Sequence, residues 1–129
     1  MLTLALLLLA AAPDVSGSYK IETSPVVKVK KGEAGKARVA VVPRSDAHVS
    51  PDAPISLTVK AGPALKLEKE KLGRADARET AAKGVEFDVP FTAASAGSDE
   101  VKGTLSFFIC TEKLCEKQKK EISLAVQVE

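Results

Sequence analysis

From residue 27 onward, apolar and polar residues alternate in short runs. In VVKVK the apolar positions are Val27 and Val29, in KARVAVV they are Ala37, Val39 and Val41, and in ISLTV they are Ile55, Leu57 and Val59. ALKLE contributes Leu65 and Leu67, and VEFDVPF sets Val85, Phe87, Val89 and Phe91 against Glu86 and Asp88. TLSFFI and EISLAVQV close the series with Leu105, Phe107 and Ile109, then Ile122, Leu124, Val126 and Val128. A period of two is what a strand with one buried face produces, because successive side chains leave the backbone on opposite sides. The runs are separated by KKGEAG, PRSDAHVSPDAP, AGP and ASAGSDE, whose Gly, Pro, Ser and Asp residues favour turns over ladders.

About seven to eight short strands, each apolar on one side, predict two antiparallel sheets packed face to face in an all-β, immunoglobulin-like sandwich. Pro90 lies inside a strand pattern and cannot donate to a ladder, so it predicts an edge strand or a bulge there. Residues 68–84, EKEKLGRADARETAAKG, carry no sustained apolar stripe and are expected to form a long loop.

The chain has 129 residues, 45% of them hydrophobic and 28% charged, enough for one domain with a core of its own. Its N-terminal apolar run over residues 2–12 is too short to span a bilayer, which takes roughly 20 residues. Followed by small residues, it predicts a secretory signal peptide over 1–17, ahead of a domain at 18–129. Pro13 disfavours cleavage after Ala12, and Gly17 offers an alternative site. The expected destination is the periplasm or the exterior.

Charge adds little. Lys and Arg number 19 against 17 Asp and Glu, and losing residues 1–17 removes only Asp14, moving the net charge from +2 to +3. The basic residues are interspersed with acids, and one Tyr and no Trp leave no stacking platform, so nucleic acid is not an expected partner. Two Cys and one His do not complete a four-ligand zinc site, and the only Met is the initiator. No phosphate-binding glycine loop or hydrolase elbow is present, and no cofactor or metal is expected.

The remaining candidate chemistry is FFICTEKLCEKQ, which holds both cysteines, Cys110 and Cys115. In an oxidising compartment an even count predicts a disulfide. If Cys110 lies opposite Cys115, Gly103 faces Ile122, and Leu105, Phe107 and Ile109 share a side with Ile122, Leu124 and Val126. Both cysteines and Phe108 then point away from the core, within reach of solvent unless a loop covers them. Such a bridge closes a very small loop and stabilises by roughly 2 kcal/mol, against over 4 for one spanning about 60 residues. The hairpin by itself fits an inert bridge and an exchanging couple equally well.

The runs AHVSPDAPISLTV and VEFDVPFTAASAGSDEVKGTLSFFICTEKLC resemble the immunoglobulin-like N-terminal domain of the bacterial thiol:disulfide interchange protein DsbD and its relatives. The resemblance implies a periplasmic dithiol carrier, with Cys110 and Cys115 as its catalytic pair. The implied partners are thioredoxin-like or other periplasmic thiol/disulfide proteins, with a separate membrane electron transporter as the electron source. His48 matches a position often occupied by His in that family. The chain departs from the family in placing Glu116, Lys117 and Gln118 after the second cysteine. Across residues 71–79, where relatives carry an aromatic cap, it offers only Leu72. The alternative from a different class is a redox-inert binding or structural module with a passive hairpin bridge.

Overall fold

The computed structural model describes residues 16–129; the expected signal peptide lies outside them except for its last two residues. Eleven strands follow in order: β1 (Tyr19–Thr23), β2 (Val27–Val29), β3 (Ala34–Pro43), β4 (His48–Val49), β5 (Ser56–Ala61), β6 (Leu65–Leu67), β7 (Lys71–Leu72), β8 (Ala77–Glu79), β9 (Val85–Ala93), β10 (Gly97–Cys110) and β11 (Cys115–Val128). The count exceeds the expected seven to eight because β1 lies ahead of the alternating runs, and because β4, β7 and β8 are two or three residues long, too short to display a period.

One sheet runs β1-β3-β9-β6, with β8 also pairing β9; the other runs β2-β11-β10-β5-β7, with β4 also pairing β10. The chain changes sheets between β1, which pairs β3, and β2, which joins β11 in parallel. All the other ladders are antiparallel, and the arrangement is an immunoglobulin-like sandwich.

The alternating runs supply the core. Val39, Val41, Val85, Phe87, Val89 and Phe91 from one sheet meet Leu57, Val59, Leu105, Phe107, Ile109 and Leu124 from the other, all of them buried. Each such side chain contributes roughly 1.5–3 kcal/mol by leaving water. At the β1 edge, Tyr19 meets Phe107 edge-on at 5.0 Å, and its hydroxyl donates to the buried Gln118 Oε1 at 2.7 Å. The buried polar side chain of β11 is thereby satisfied where the apolar pattern stops.

Two expectations need correction. Residues 68–84 do not form an open loop. They cross from one sheet to the other through β7 on β5, a 3-10 turn at Arg74–Asp76 and β8 on β9. Hydrogen bonds to strands already in place recruit this segment, so it needs no apolar stripe of its own. Pro90 is not on an outer strand. β9 lies between β3 and the short strands β8 and β6, which pair with it over Val85–Phe87 and Phe91–Ala93. Pro90 falls in the gap between them, where β9 has a partner on the β3 side only.

Candidate functional site

The site is built on the β10–β11 hairpin. Its register pairs Cys110 with Cys115, Gly103 with Ile122 and Gly97 with Val128, the register that follows from placing the two cysteines opposite one another. The backbone N–H of Thr111 donates to Leu114 O at 2.8 Å and closes the tip over Glu112 and Lys113. The cysteines occupy the next pair in, and they are bonded, with Cα atoms 4.0 Å apart. Parity places them on the outer face of the sheet with Phe108, opposite the face that carries Phe107 and Ile109 into the core.

Solvent reaches the two cysteines unequally, where both were expected to be within its reach unless a loop covered them. Cys115 is exposed, whereas Cys110 is only 3% exposed. Among the described residues β11 has no further strand beside Cys115, because β2 joins it only at Val126–Val128. β10 has a neighbour on its other flank: β4 pairs Val49 with Ile109 and His48 with Cys110. His48, expected in a loop, is therefore a strand residue alongside the disulfide. A two-residue strand leaves no periodic signal, so the sequence pattern did not locate it.

Three contacts hold β4 in place. Ser50 N–H donates to Phe108 O at 2.9 Å, extending the β4–β10 pairing, and Val49 N–H donates to Lys83 O at 2.9 Å from the turn before β9. That turn places Lys83 at φ 62°, a left-handed conformation, and Gly84 follows where a Cβ would sit 2.0 Å from Val41 O. The third contact is Arg74, whose Nη2 donates to Ser50 O at 3.0 Å and also to Ala53 O. One guanidinium thus pins the bend between β4 and β5, a role the sequence pattern did not reveal. Asp76 steadies the turn beneath it: its carboxylate accepts from Gly73 N–H at 3.0 Å and from Lys69 Nζ at 2.7 Å. Chiefly the Lys69 bond, and then the Gly73 bond, hold its carboxyl below the ordinary carboxylate value.

Residues 71–84 do not close over the disulfide. Leu72, the residue matching the family's cap region, is buried and pairs with Leu57, away from the hairpin tip. The far end of the segment does approach the tip: Lys83 borders a hollow of about 240 Å³ together with Asp46, His48, Thr111 and Glu112. Among the described residues, no group of three or more His, Cys, Asp or Glu side chains is placed to hold a metal ion.

No protein-family model and no curated protein sequence matches the chain. Solved structures similar to it include native alpha-2-macroglobulin of E. coli, at 14% identity and TM-score 0.49 over 86% of this chain and 7% of that one. AggA, the major subunit of aggregative adherence fimbriae type I from Escherichia coli, is similar at 10% identity and TM-score 0.47, over 86% of this chain and 94% of AggA. Domains 4 and 5 of the S-layer protein SbsC are similar at 15% identity and TM-score 0.45, over 84% of this chain and 44% of that one. The chain thus spans a small fraction of the macroglobulin and less than half of the SbsC fragment.

Proposed function

We propose that this is an exported thiol-disulfide exchange domain whose Cys110–Cys115 bond passes electrons between a membrane electron transporter and thioredoxin-like or other periplasmic partners. The observation that carries the proposal is the unequal exposure of a disulfide placed outside the core. Exchange requires an incoming thiolate to approach one sulfur in line with the bond it breaks. Cys115 is exposed, and Cys110 is covered on the β4 side. An incoming thiolate therefore bonds to Cys115 Sγ, and the electron pair of the broken S–S bond goes to Cys110 Sγ. A second thiolate of the partner then takes the partner's sulfur back, releasing Cys115. The domain ends as a dithiol and the partner as a disulfide, and the reverse sequence donates the two electrons.

Two further features support this. Opening the bond leaves the apolar core intact, since neither cysteine belongs to the packed inner faces. The resemblance of residues 85–115 to the DsbD N-terminal domain points to the same pair. Export rests on the apolar N-terminal run.

A redox-inert module with a passive bridge is the second reading, favoured by the burial of Cys110 between β4 and β11. The reduction potential separates the two. The folded domain is equilibrated in glutathione buffers and its free thiols are counted by alkylation and mass spectrometry. A potential well above about −300 mV with rapid equilibration is expected of a carrier. A lower potential, or no reduction without unfolding, identifies the inert module.

A further inference from the structure

The exchange reading leaves open what happens to the charge on Cys110, and this inference rests on that reading. His48, Cys110 and Cys115 occupy one row across β4, β10 and β11, each paired with the next. Directly opposed residues of antiparallel strands carry their Cβ atoms on the same face, about 4.5–5.5 Å apart. His48, half-buried, is thus the cross-strand neighbour of the cysteine whose sulfur leaves. A thiolate forming at Cys110 has little access to water, and burial without a partner disfavours the charged form.

We propose that His48 manages the proton of Cys110. As the partner thiolate bonds to Cys115 Sγ and the S–S bond breaks, the imidazolium gives its proton to Cys110 Sγ, leaving a thiol and a neutral imidazole. In the return direction the neutral imidazole takes the Cys110 thiol proton, and the resulting thiolate attacks Cys115 Sγ of the mixed disulfide and expels the partner's sulfur. Electrons move only between the sulfurs, and the proton moves only between Cys110 and His48. In this role His48 hands a proton to the Cys110 sulfur in one direction and takes it back in the other.

The charged groups around the imidazole do not duplicate this role. Asp46, Glu112 and Lys83 border the hollow on the hairpin side, and Arg74, Glu79 and Lys83 border one of about 220 Å³ on the other. Asp46 is paired with Arg44, and Arg74 is committed to the carbonyls of Ser50 and Ala53. Among these side chains, imidazole is the type that ordinarily changes charge between pH 5 and 8. His48 is also the chain's only histidine, so its response is read without ambiguity.

The test follows reduction of the oxidised domain by dithiothreitol from roughly pH 5 to 8, with each rate constant divided by the thiolate concentration. In the wild type this normalised rate should fall about tenfold as the imidazolium is lost. His48→Gln should be about tenfold slower at the acidic end and show no break, converging with the wild type at the alkaline end. His48→Lys, which keeps a cation, should run above His48→Gln and also without a break. A wild-type profile with no break, or His48→Gln superimposing on the wild type, overturns the assignment and leaves the exchange reading standing. Failure of the folded wild type to be reduced at any pH overturns both. If His48→Gln does not fold, the wild type and His48→Lys decide: a break in the wild-type profile that His48→Lys removes is the expected result, and a break that persists in His48→Lys overturns the assignment.

Discussion

The two ends of the β10–β11 hairpin obey the same register and do different work. Along the body, Val101, Leu105 and Phe107 with Ile122, Leu124 and Val126 all turn into the core. At the tip, the ladder ends in a covalent bond on the outer face, flanked by His48 on one side and solvent on the other. The body is held by burial, which is distributed over many side chains. The tip is held by one covalent bond and one backbone hydrogen bond. A ladder with both ends packed like the body would be stable and chemically silent.

The largest effect should come from breaking the body. Phe107→Ala removes a fully buried ring that also packs against Tyr19, and should cost about 3–5 kcal/mol in urea unfolding. Breaking the tip should cost less: Cys110→Ser or Cys115→Ser removes a small-loop crosslink and should lower stability by about 2 kcal/mol. Either substitution should nevertheless abolish exchange with thiols. A loss as large as that of Phe107→Ala would mean that the bond is structural and that tip and body are one unit.

Arg74→Ala sharpens the comparison by loosening the tip's support without touching a sulfur. Losing its bonds to Ser50 O and Ala53 O should cost about 1 kcal/mol and raise hydrogen exchange at the N–H groups of Val49 and Ser50, while the body stays protected. Uniform loss of protection would show that β4 and the core open together.

The smallest effect lies on the opposite sheet, away from both ends. Arg78 donates to Asp88 at 2.5 Å and to Glu86 at 2.6 Å across the exposed face. The Arg78 bond, followed by the Arg78 charge, holds the Asp88 carboxyl below its ordinary 3.8. A carboxyl lowered in the folded state contributes stability that is present above its unfolded value and lost as pH falls through the folded one. Arg78→Ala should therefore lower the thermal midpoint slightly at neutral pH, and its curve should converge with that of the wild type as the pH falls below about 4. An unchanged acid profile would show that the pair contributes nothing in solution.

Much of this molecule was legible as a line of residues. Alternation identified the apolar faces of the longer strands from β3 onward, and setting Cys110 opposite Cys115 fixed a β10–β11 register that agreed with them. It also placed both cysteines at the end of that ladder, outside the core. The short elements were not legible: β4, β7 and β8 are too brief to show a period, and they exist because longer strands offer them hydrogen bonds. Pro90 was correctly marked as lacking a ladder donor, but the gap it occupies depends on where β6 and β8 stop.

Tertiary structure alone decided what surrounds the disulfide. Pattern gives the face of a strand, and it carries no information on which distant segment lies beside it. That β4 comes to rest against Cys110, that among the described residues no strand comes to rest beside Cys115, and that Arg74 reaches the bend between β4 and β5 are outcomes of packing two sheets and closing their ends. Those outcomes, more than the presence of two cysteines, set which cysteine stays exposed and which residue stands next to the other.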